Sequence, residues 1–222
     1  MTFRKRLQYL LVKRLNISNK SALTLILEGK IFVNGLNVLE NIEIHLEDSV
    51  VFEEQILQVG KKFIYVAFYK PRGIETTLNS EIQDNLKDIL PFKEELFPVG
   101  RLDKESEGLL ILTNDGRTFD KTLRSENQIE KEYLVTVNKE ITENFIQKMS
   151  EGVNILGKIT LPCKVEKMDD FSFKIILIQG MNRQIRRMCY KLDYEVLRLI
   201  RIRIGEVSIE NLLPTEFKYF KP

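Results

Sequence analysis

The chain has 222 residues, of which 43% are hydrophobic, so it can bury the core of one large domain or of an ordinary domain with a small second one. No apolar run reaches the roughly 18 residues of a membrane span and no signal-peptide pattern opens the chain, so we expect a cytoplasmic protein without a membrane partner. The net charge of +2 does not by itself indicate nucleic acid.

The charge is unevenly distributed along the chain. Residues 36–60 contain six acidic side chains and no Lys or Arg, whereas residues 1–35 contain one acidic side chain, Glu28. The basic residues of that first stretch are Arg4, Lys5, Arg6, Lys13, Arg14, Lys20 and Lys30. A second basic block, at residues 180–203, consists of Arg183, Arg186, Arg187, Lys191, Arg198, Arg201 and Arg203. Such clusters suit a phosphate backbone.

The first 60 residues predict two helices followed by a small β unit. Apolar side chains recur at helical spacing in residues 2–15, and Ser18 can cap a second helix that ends at Gly29. A short strand then enters the Asn34-Gly35 turn, a strong hairpin signal, and residues 48–52 supply another strand. A generic small α+β domain would also produce this order.

A second domain is predicted from about Lys61. Pro71 and Gly73 break its first strand, so we expect residues 69–73 to form a turn. Strands often follow one another without a helix between them, which favours an α/β (α+β) fold with a mixed, largely antiparallel sheet. The predicted strands are residues 63–68, 109–113, 132–137, 161–166, 171–178 and 195–200, and the predicted helices are 117–123, 142–149 and 183–192.

The cysteines and the single histidine indicate no metal or thiol chemistry. Cys163 and Cys189 match no metal-ligand spacing and are interpreted as packing residues of a reduced protein. His45 lies in the acidic segment and is interpreted as an ordinary strand residue, which excludes Ser-His and Cys-His pairs unless His45 serves. We therefore expect no metal and no cofactor.

Three segments carry residues suited to chemistry. The run GRLDKESEGLLILTNDG, residues 100–116, places Asp103 just before a hydrophobic strand, although an acidic surface turn could read the same way. The run QGMNRQIRRM, residues 179–188, leads from a strand into a basic helix, which any RNA-binding face could use. Tyr133 heads the strand KEYLV, residues 131–135, where it could equally fill the core.

Together these segments resemble the RNA pseudouridine synthases of the RsuA type, which isomerise uridine within an RNA chain. The phrase EGKIFVNG, residues 28–35, with the two helices before it, resembles the S4 RNA-binding domain. The resemblance implies an S4-like domain at residues 1–58 and a catalytic domain at residues 61–222. Residues 131–157 and 179–189 are most similar to the RluF branch, which modifies large-subunit ribosomal RNA and, in some members, a transfer RNA.

The resemblance also implies roles for individual residues. Asp103 is the catalytic carboxylate, attacking either the sugar or the uracil ring, and Tyr133 stacks on the flipped base. Because a lone carboxylate in a buried pocket would take up a proton, the guanidinium of Arg186 is expected to pair with Asp103 and keep it ionised. Arg101 fills the space that the flipped base leaves. The residues left for phosphate contacts are Arg183 and Arg187, with Arg6, Lys13, Arg14, Lys20 and Lys30 in the S4-like domain.

The expected partner is therefore structured RNA, bound by a monomer. The reaction breaks one bond, forms another and moves a proton, so it requires neither a cofactor nor a metal. One phrase departs from the family, because YKPRG at residues 69–73 has Tyr69 where Asn is usual, which affects the expected loop geometry. The alternative is a catalytically inactive RNA-binding or ribosome-assembly protein on the same fold, and the presence of Asp103, Tyr133 and Arg186 together favours the enzyme.

Overall fold

The computed structural model describes residues 5–117 and 129–221, and the chain divides into two compact units, Met1–Phe63 and Ile64–Pro222. The helix predicted at residues 117–123 lies, after its first residue, outside the described part of the chain.

Two short helices, α1 (Leu7–Leu15) and α2 (Asn19–Leu27), begin the first unit. Each buries residues four apart on one face, Leu7 and Leu11 in α1 and Ala22 and Ile26 in α2, as amphipathic helices do. The predicted cap of α2 is confirmed, because the Ser18 hydroxyl accepts a hydrogen bond of 3.1 Å from the amide of Ser21.

Four antiparallel strands complete this unit. They are β1 (Ile31–Val33), β2 (Leu36–Val38), β3 (Val50–Phe52) and β4 (Gln55–Gln58), arranged in the order β2-β1-β3-β4. Asn34 and Gly35 have φ angles of 52° and 79°, so the predicted turn joins β1 to β2 in the left-handed conformation that tight hairpins use. His45 lies in the connection between β2 and β3, so its interpretation as a strand residue is wrong.

A nine-stranded sheet forms the centre of the second unit, with the order β11-β12-β8-β13-β7-β5-β15, β6 beside β7 and β14 beside β13. The β13–β7 pair is parallel and the others are antiparallel, so the predicted mixed sheet is confirmed. The strands, with a separate hairpin formed by β9 and β10, are β5 (Tyr65–Lys70), β6 (Phe97–Val99), β7 (Glu107–Thr113), β8 (Lys131–Val137), β9 (Asn154–Ile155), β10 (Lys158–Ile159), β11 (Lys164–Lys167), β12 (Ser172–Leu177), β13 (Val196–Ile204), β14 (Val207–Ser208) and β15 (Phe217–Tyr219).

Two helices pack against one part of this sheet. Thr142 caps α3 (Glu143–Glu151) through a 3.1 Å hydrogen bond from the amide of Phe145, and α4 (Gln184–Lys191) follows β12. Buried side chains of both helices join those of β8, β12 and β13 in one hydrophobic cluster. Within it, the rings of Phe145 and Phe173 meet edge to face at 5.3 Å. The α4 residues Ile185, Met188 and Cys189 belong to the same cluster, which holds α4 against the sheet.

Strand β7 is buried at every position because hydrophobic clusters cover both of its faces. Its parallel pairing with β13 depends on Gly108, since a Cβ there would lie 2.4 Å from the carbonyl oxygen of Arg201. Strand β5 on its other side runs through Lys70, and the predicted turn begins only at Pro71. Tyr69 and Lys70 stay in the strand because they pair with Leu109 and Gly108 of β7.

Candidate active site

The loop that carries Asp103, residues 100–106, connects β6 to β7. It has no regular secondary structure, yet every backbone carbonyl from residue 101 to residue 105 accepts a hydrogen bond. The donors, in loop order, are Arg201 Nη1 (3.2 Å), Thr76 Oγ1 (2.6 Å), the Ser106 amide (3.0 Å), the Gly73 amide (2.8 Å) and Arg186 Nη2 (2.8 Å). The backbone beneath Asp103 is therefore held at each residue.

Asp103 forms an ion pair with Arg183, with 3.9 Å between Oδ2 and Nη1. Arg183 precedes the first turn of α4 in a left-handed conformation (φ 50°, ψ 37°). The Asp103 side chain is 35% exposed, so water reaches the carboxylate and its pocket is more open than expected. A carboxylate that contacts both a guanidinium and solvent is placed for nucleophilic or electrostatic chemistry.

Arg186 lies one turn further along α4 and bonds to backbone. Its Nη2 donates to the carbonyl of Glu105 in the loop, and its Nη1 donates to the carbonyl of Val196 at 3.0 Å. The expected ion pair between Arg186 and Asp103 is thus replaced by Arg183, because the Arg186 guanidinium is used to hold the loop. Burial and the neighbouring Arg183 lower the pKa of Arg186, and the negative charge of Asp103 opposes that shift.

A cleft of about 580 Å³ opens above these residues. Tyr133, partly buried at the third position of β8, lines it together with Asp103, so the structure brings the predicted aspartate and tyrosine together, and Arg183, predicted as a phosphate contact, lies with them. Arg186 is not among the lining residues. Apolar side chains complete the walls: Val99, Leu102, Met181, Leu177, Ile185, Leu199 and Ile204. The volume and the mixed lining suit a nucleoside unit.

The other predicted RNA-binding residues differ in their exposure and in the bonds that they form within the protein. Arg101 is exposed beside Asp103 and lines the cleft. Arg187 donates to the backbone and side-chain oxygens of Asn182. In the first unit, Arg6 donates to the carbonyl of Asn41 and Lys30 pairs with Glu28. Four residues there are exposed: Lys13, Arg14, Lys20 and the ion-paired Lys30.

Sequence reasoning missed three buried polar side chains, two that bond to the Asp103 loop and one that bonds to the neighbouring turn. Arg201 and Thr76 bond to its carbonyls while both are buried. Lys70, fully buried, donates to the carbonyls of Pro71 and Ile74, and burial lowers its pKa to about 8. A Lys in an otherwise apolar strand is the sequence signal that could have identified Lys70, whereas β13 contains three arginines and its pattern does not single out Arg201.

Tyr69, the departure from the family phrase, also has a structural role. Its hydroxyl donates to Glu107 at 2.9 Å, and Arg198 donates to the same carboxylate at 2.7 Å. Burial raises the pKa of Tyr69 to about 12. The substitution therefore adds a bond to the first residue of β7 and leaves the turn at Gly73 in place, where its amide reaches the loop.

The arrangement offers a carboxylate, a guanidinium and a tyrosine around one cleft. Such a set can stabilise or attack an electrophilic carbon and move a proton. In residues 5–117 and 129–221, no three His, Cys, Asp or Glu side chains lie close enough together to hold a metal ion. None of the described helices has the length and apolar character needed to cross a membrane.

Comparisons with known proteins agree on one family. A family model described as RNA pseudouridylate synthase matches residues 64–191, more than half of the chain. The dual-specificity RNA pseudouridine synthase RluF of Escherichia coli K12 is 44% identical over 88% of this chain and 68% of its own length. The ribosomal large subunit pseudouridine synthase B of Bacillus subtilis is 29% identical over 94% and 88%. A crystal structure of a pseudouridylate synthase aligns with a TM-score of 0.67 at 27% identity, covering 97% of this chain and 96% of the other.

Proposed function

The chain belongs to the RNA pseudouridylate synthase family and is an isomerase, and we propose that it converts a specific uridine of large-subunit ribosomal RNA to pseudouridine with Asp103 as the catalytic carboxylate. The observation that carries the assignment of Asp103 is its ion pair with Arg183 in the cleft that Tyr133 also lines. The relatives named as ribosomal or dual-specificity RNA enzymes support the RNA class. In this proposal a transfer RNA is a second substrate.

The reaction breaks the bond between uracil N1 and the sugar, turns the freed base and joins C5 to the same sugar carbon. C5 then loses its proton and N1 gains one. Atoms and electrons balance within the nucleotide, so the residues of the chain need only supply binding, charge and proton transfer. The Asp103 carboxylate attacks either the sugar carbon or the uracil ring, and both routes regenerate the free carboxylate.

Arg183 and Arg186 have different parts in this proposal. Arg183 forms an ion pair with Asp103 directly, with 3.9 Å between Nη1 and Oδ2. Arg186 acts through the loop backbone, where its bond to the Glu105 carbonyl holds the position of the carboxylate. Tyr133 stacks on the uracil, and its hydroxyl is suited to assist removal of the C5 proton.

A uridine in folded RNA must leave its stack before the sugar can approach Asp103. Arg101, exposed beside the loop, is suited to occupy the vacated space because a planar guanidinium stacks as a base does. The unit Met1–Phe63 acts as an S4-like domain that anchors RNA through the phosphate contacts of Lys13, Arg14 and Lys20. The protein works as a monomer in the cytoplasm.

The test is a pseudouridine map of ribosomal and transfer RNA from cells with the protein, without it, and with an Asp103→Asn variant. We expect one or more sites that are lost in the deletion strain and are not restored by the variant. A map that is unchanged by deletion would contradict the proposal and would favour an RNA-binding role on the same fold.

A further inference from the structure

Arg201 joins the two ends of the segment that carries Asp103. It is the sixth residue of β13 and only 4% exposed. Its Nε donates to the carbonyl of Leu109 at 2.7 Å and its Nη1 to the carbonyl of Arg101 at 3.2 Å. Leu109 lies inside β7 after the loop, whereas Arg101 lies in the loop just before Asp103. One rigid guanidinium plane thus fixes the loop to the strand that follows it.

Strand register places Arg201 between Tyr133 and the strand that follows the Asp103 loop. It pairs with Gly108 of β7 on one side and with Tyr133 of β8 on the other. The close approach on the β7 side requires Gly108, as the contact of a Cβ with the Arg201 carbonyl shows. Arg201 also lines the same cleft as Asp103 and Tyr133. A displacement of the Arg201 side chain would therefore shift both the loop and the wall of the cleft.

The bonding of Arg201 is unfavourable for a residue that serves stability alone. Its Nη2 is buried and has no hydrogen-bond partner among the described residues. A buried donor without a partner destabilises the folded state, and a well-packed apolar side chain would avoid that cost. Such a group calls for an explanation, and a role in the function of the site is one.

We propose that Arg201 is a positioning residue for isomerisation, holding the Asp103 loop in the geometry that the reaction requires. This inference rests on the proposed function of Asp103. A shift of the carboxylate by about 1 Å is enough to cost about 100-fold in rate while the RNA still binds, since the phosphate contacts lie elsewhere. Loss of Arg201 should therefore lower kcat and leave KM nearly unchanged.

The experiment measures kcat and KM for pseudouridine formation on a transcript that carries the mapped site, together with the thermal unfolding midpoint. Arg201→Met removes both loop bonds and keeps the volume of the side-chain stem. Arg203→Met is the matched control, because Arg203 lies on the same strand but bonds to Glu130 and Glu132, outside the cleft. We expect kcat to fall about 100-fold in Arg201→Met, with KM within about threefold of wild type, and neither to change in Arg203→Met.

A conservative variant keeps the test decisive if Arg201→Met folds poorly. In Arg201→Lys the ammonium can reach one carbonyl but cannot bridge two, so we expect a folded protein with an intermediate kcat. A folded Arg201→Lys or Arg201→Met protein with wild-type kcat would overturn the inference alone. Failure of both variants to fold would also overturn it, by showing that Arg201 serves the fold. Inactive wild-type protein on every mapped RNA would instead overturn the proposed function and this inference with it.

Discussion

The basic residues of α1 and α2 differ from those of α4 and β13 in what they contact. Lys13, Arg14 and Lys20 are exposed on the surface of the first unit. In the second unit, Arg186 and Arg201 donate to backbone carbonyls of the Asp103 loop. Arg198 and Arg203 donate to carboxylates of β7 and β8.

This difference separates two uses of positive charge. An exposed Lys or Arg keeps its full charge available to phosphates and adds little to stability. A guanidinium bonded to buried carbonyls supports local architecture and is costly to remove. Within the second basic block, Arg186, Arg198, Arg201 and Arg203 therefore bond to groups of the protein itself.

The largest effect is expected at Asp103, whose loop is held by Arg186 and Arg201. Asp103→Asn preserves size but removes the charge, so we expect turnover to fall roughly 1,000-fold or more with RNA affinity unchanged. Tritium release or sequencing of the product measures turnover, and filter binding measures affinity. Asp170→Asn, an exposed carboxylate that pairs with Lys167, is the control and should behave as wild type. Turnover near wild type in Asp103→Asn would remove the carboxylate from the mechanism.

The next largest effect is a difference in stability between variants of two neighbouring α4 arginines, Arg186 and Arg187. Arg186→Met leaves the carbonyls of Glu105 and Val196 without their charged donor, so we expect the free energy of unfolding to fall by about 3 kcal/mol. Arg187→Met loses only bonds to Asn182 and should cost less than about 1 kcal/mol. Urea unfolding of the two variants measures the contrast. Equal costs would mean that the bond to the loop does not contribute to stability.

A buried lysine gives a smaller, pH-dependent effect. Because burial lowers the pKa of Lys70 to about 8 from 10.5, the penalty for its charge is fully present below pH 8. As the pH rises from 8 to 10.5, the folded protein releases this proton before the unfolded chain does, so stability increases. We expect this gain to be about 1 to 3 kcal/mol.

The measurement compares pH profiles of the unfolding free energy for wild type and Lys70→Met. The difference between variants is needed because burial raises the pKa of Cys163 to about 11 and that of Cys189 to about 12. Those thiols stay protonated in the folded state and reduce stability as the pH rises above 9. Lys87→Met, an exposed lysine, is the control and should leave the profile unchanged. Identical profiles for wild type and Lys70→Met would contradict the shifted pKa.

The smallest effect is expected for the exposed set. Replacing Lys13, Arg14 and Lys20 together by Ala should weaken RNA binding, reduce the slope of log affinity against log salt by about 2, and leave stability and single-turnover rate unchanged. The control replaces three exposed lysines of the second unit that lie outside both basic clusters: Lys93, Lys148 and Lys158. An identical salt slope in the two triple variants would mean that α1 and α2 do not contact phosphates.

Local patterns were sufficient to predict much of this protein. The i, i+4 apolar spacing predicted α1 and α2, Ser18 predicted the start of α2, and Asn34-Gly35 predicted the hairpin. Six short strands of the structure were not predicted, because each has only two to four residues and depends on a partner strand: β4, β6, β9, β10, β14 and β15. A strand that short has no periodicity of its own to detect.

The Asp103 loop, Tyr133 and the arginine-rich helix start could be assigned to the RNA pseudouridine synthase family from the residues alone, because each of those phrases is contiguous. The role of each arginine became visible only in the folded protein. Arg183 reaches Asp103 because of its left-handed backbone at the start of α4, and Arg186 is directed to the loop carbonyl instead. Arg201 and the carbonyl that it holds are 100 residues apart, and the parallel pairing of β13 with β7 across Gly108 brings them together. Contacts at that separation follow from sheet register, which no local pattern of residues encodes.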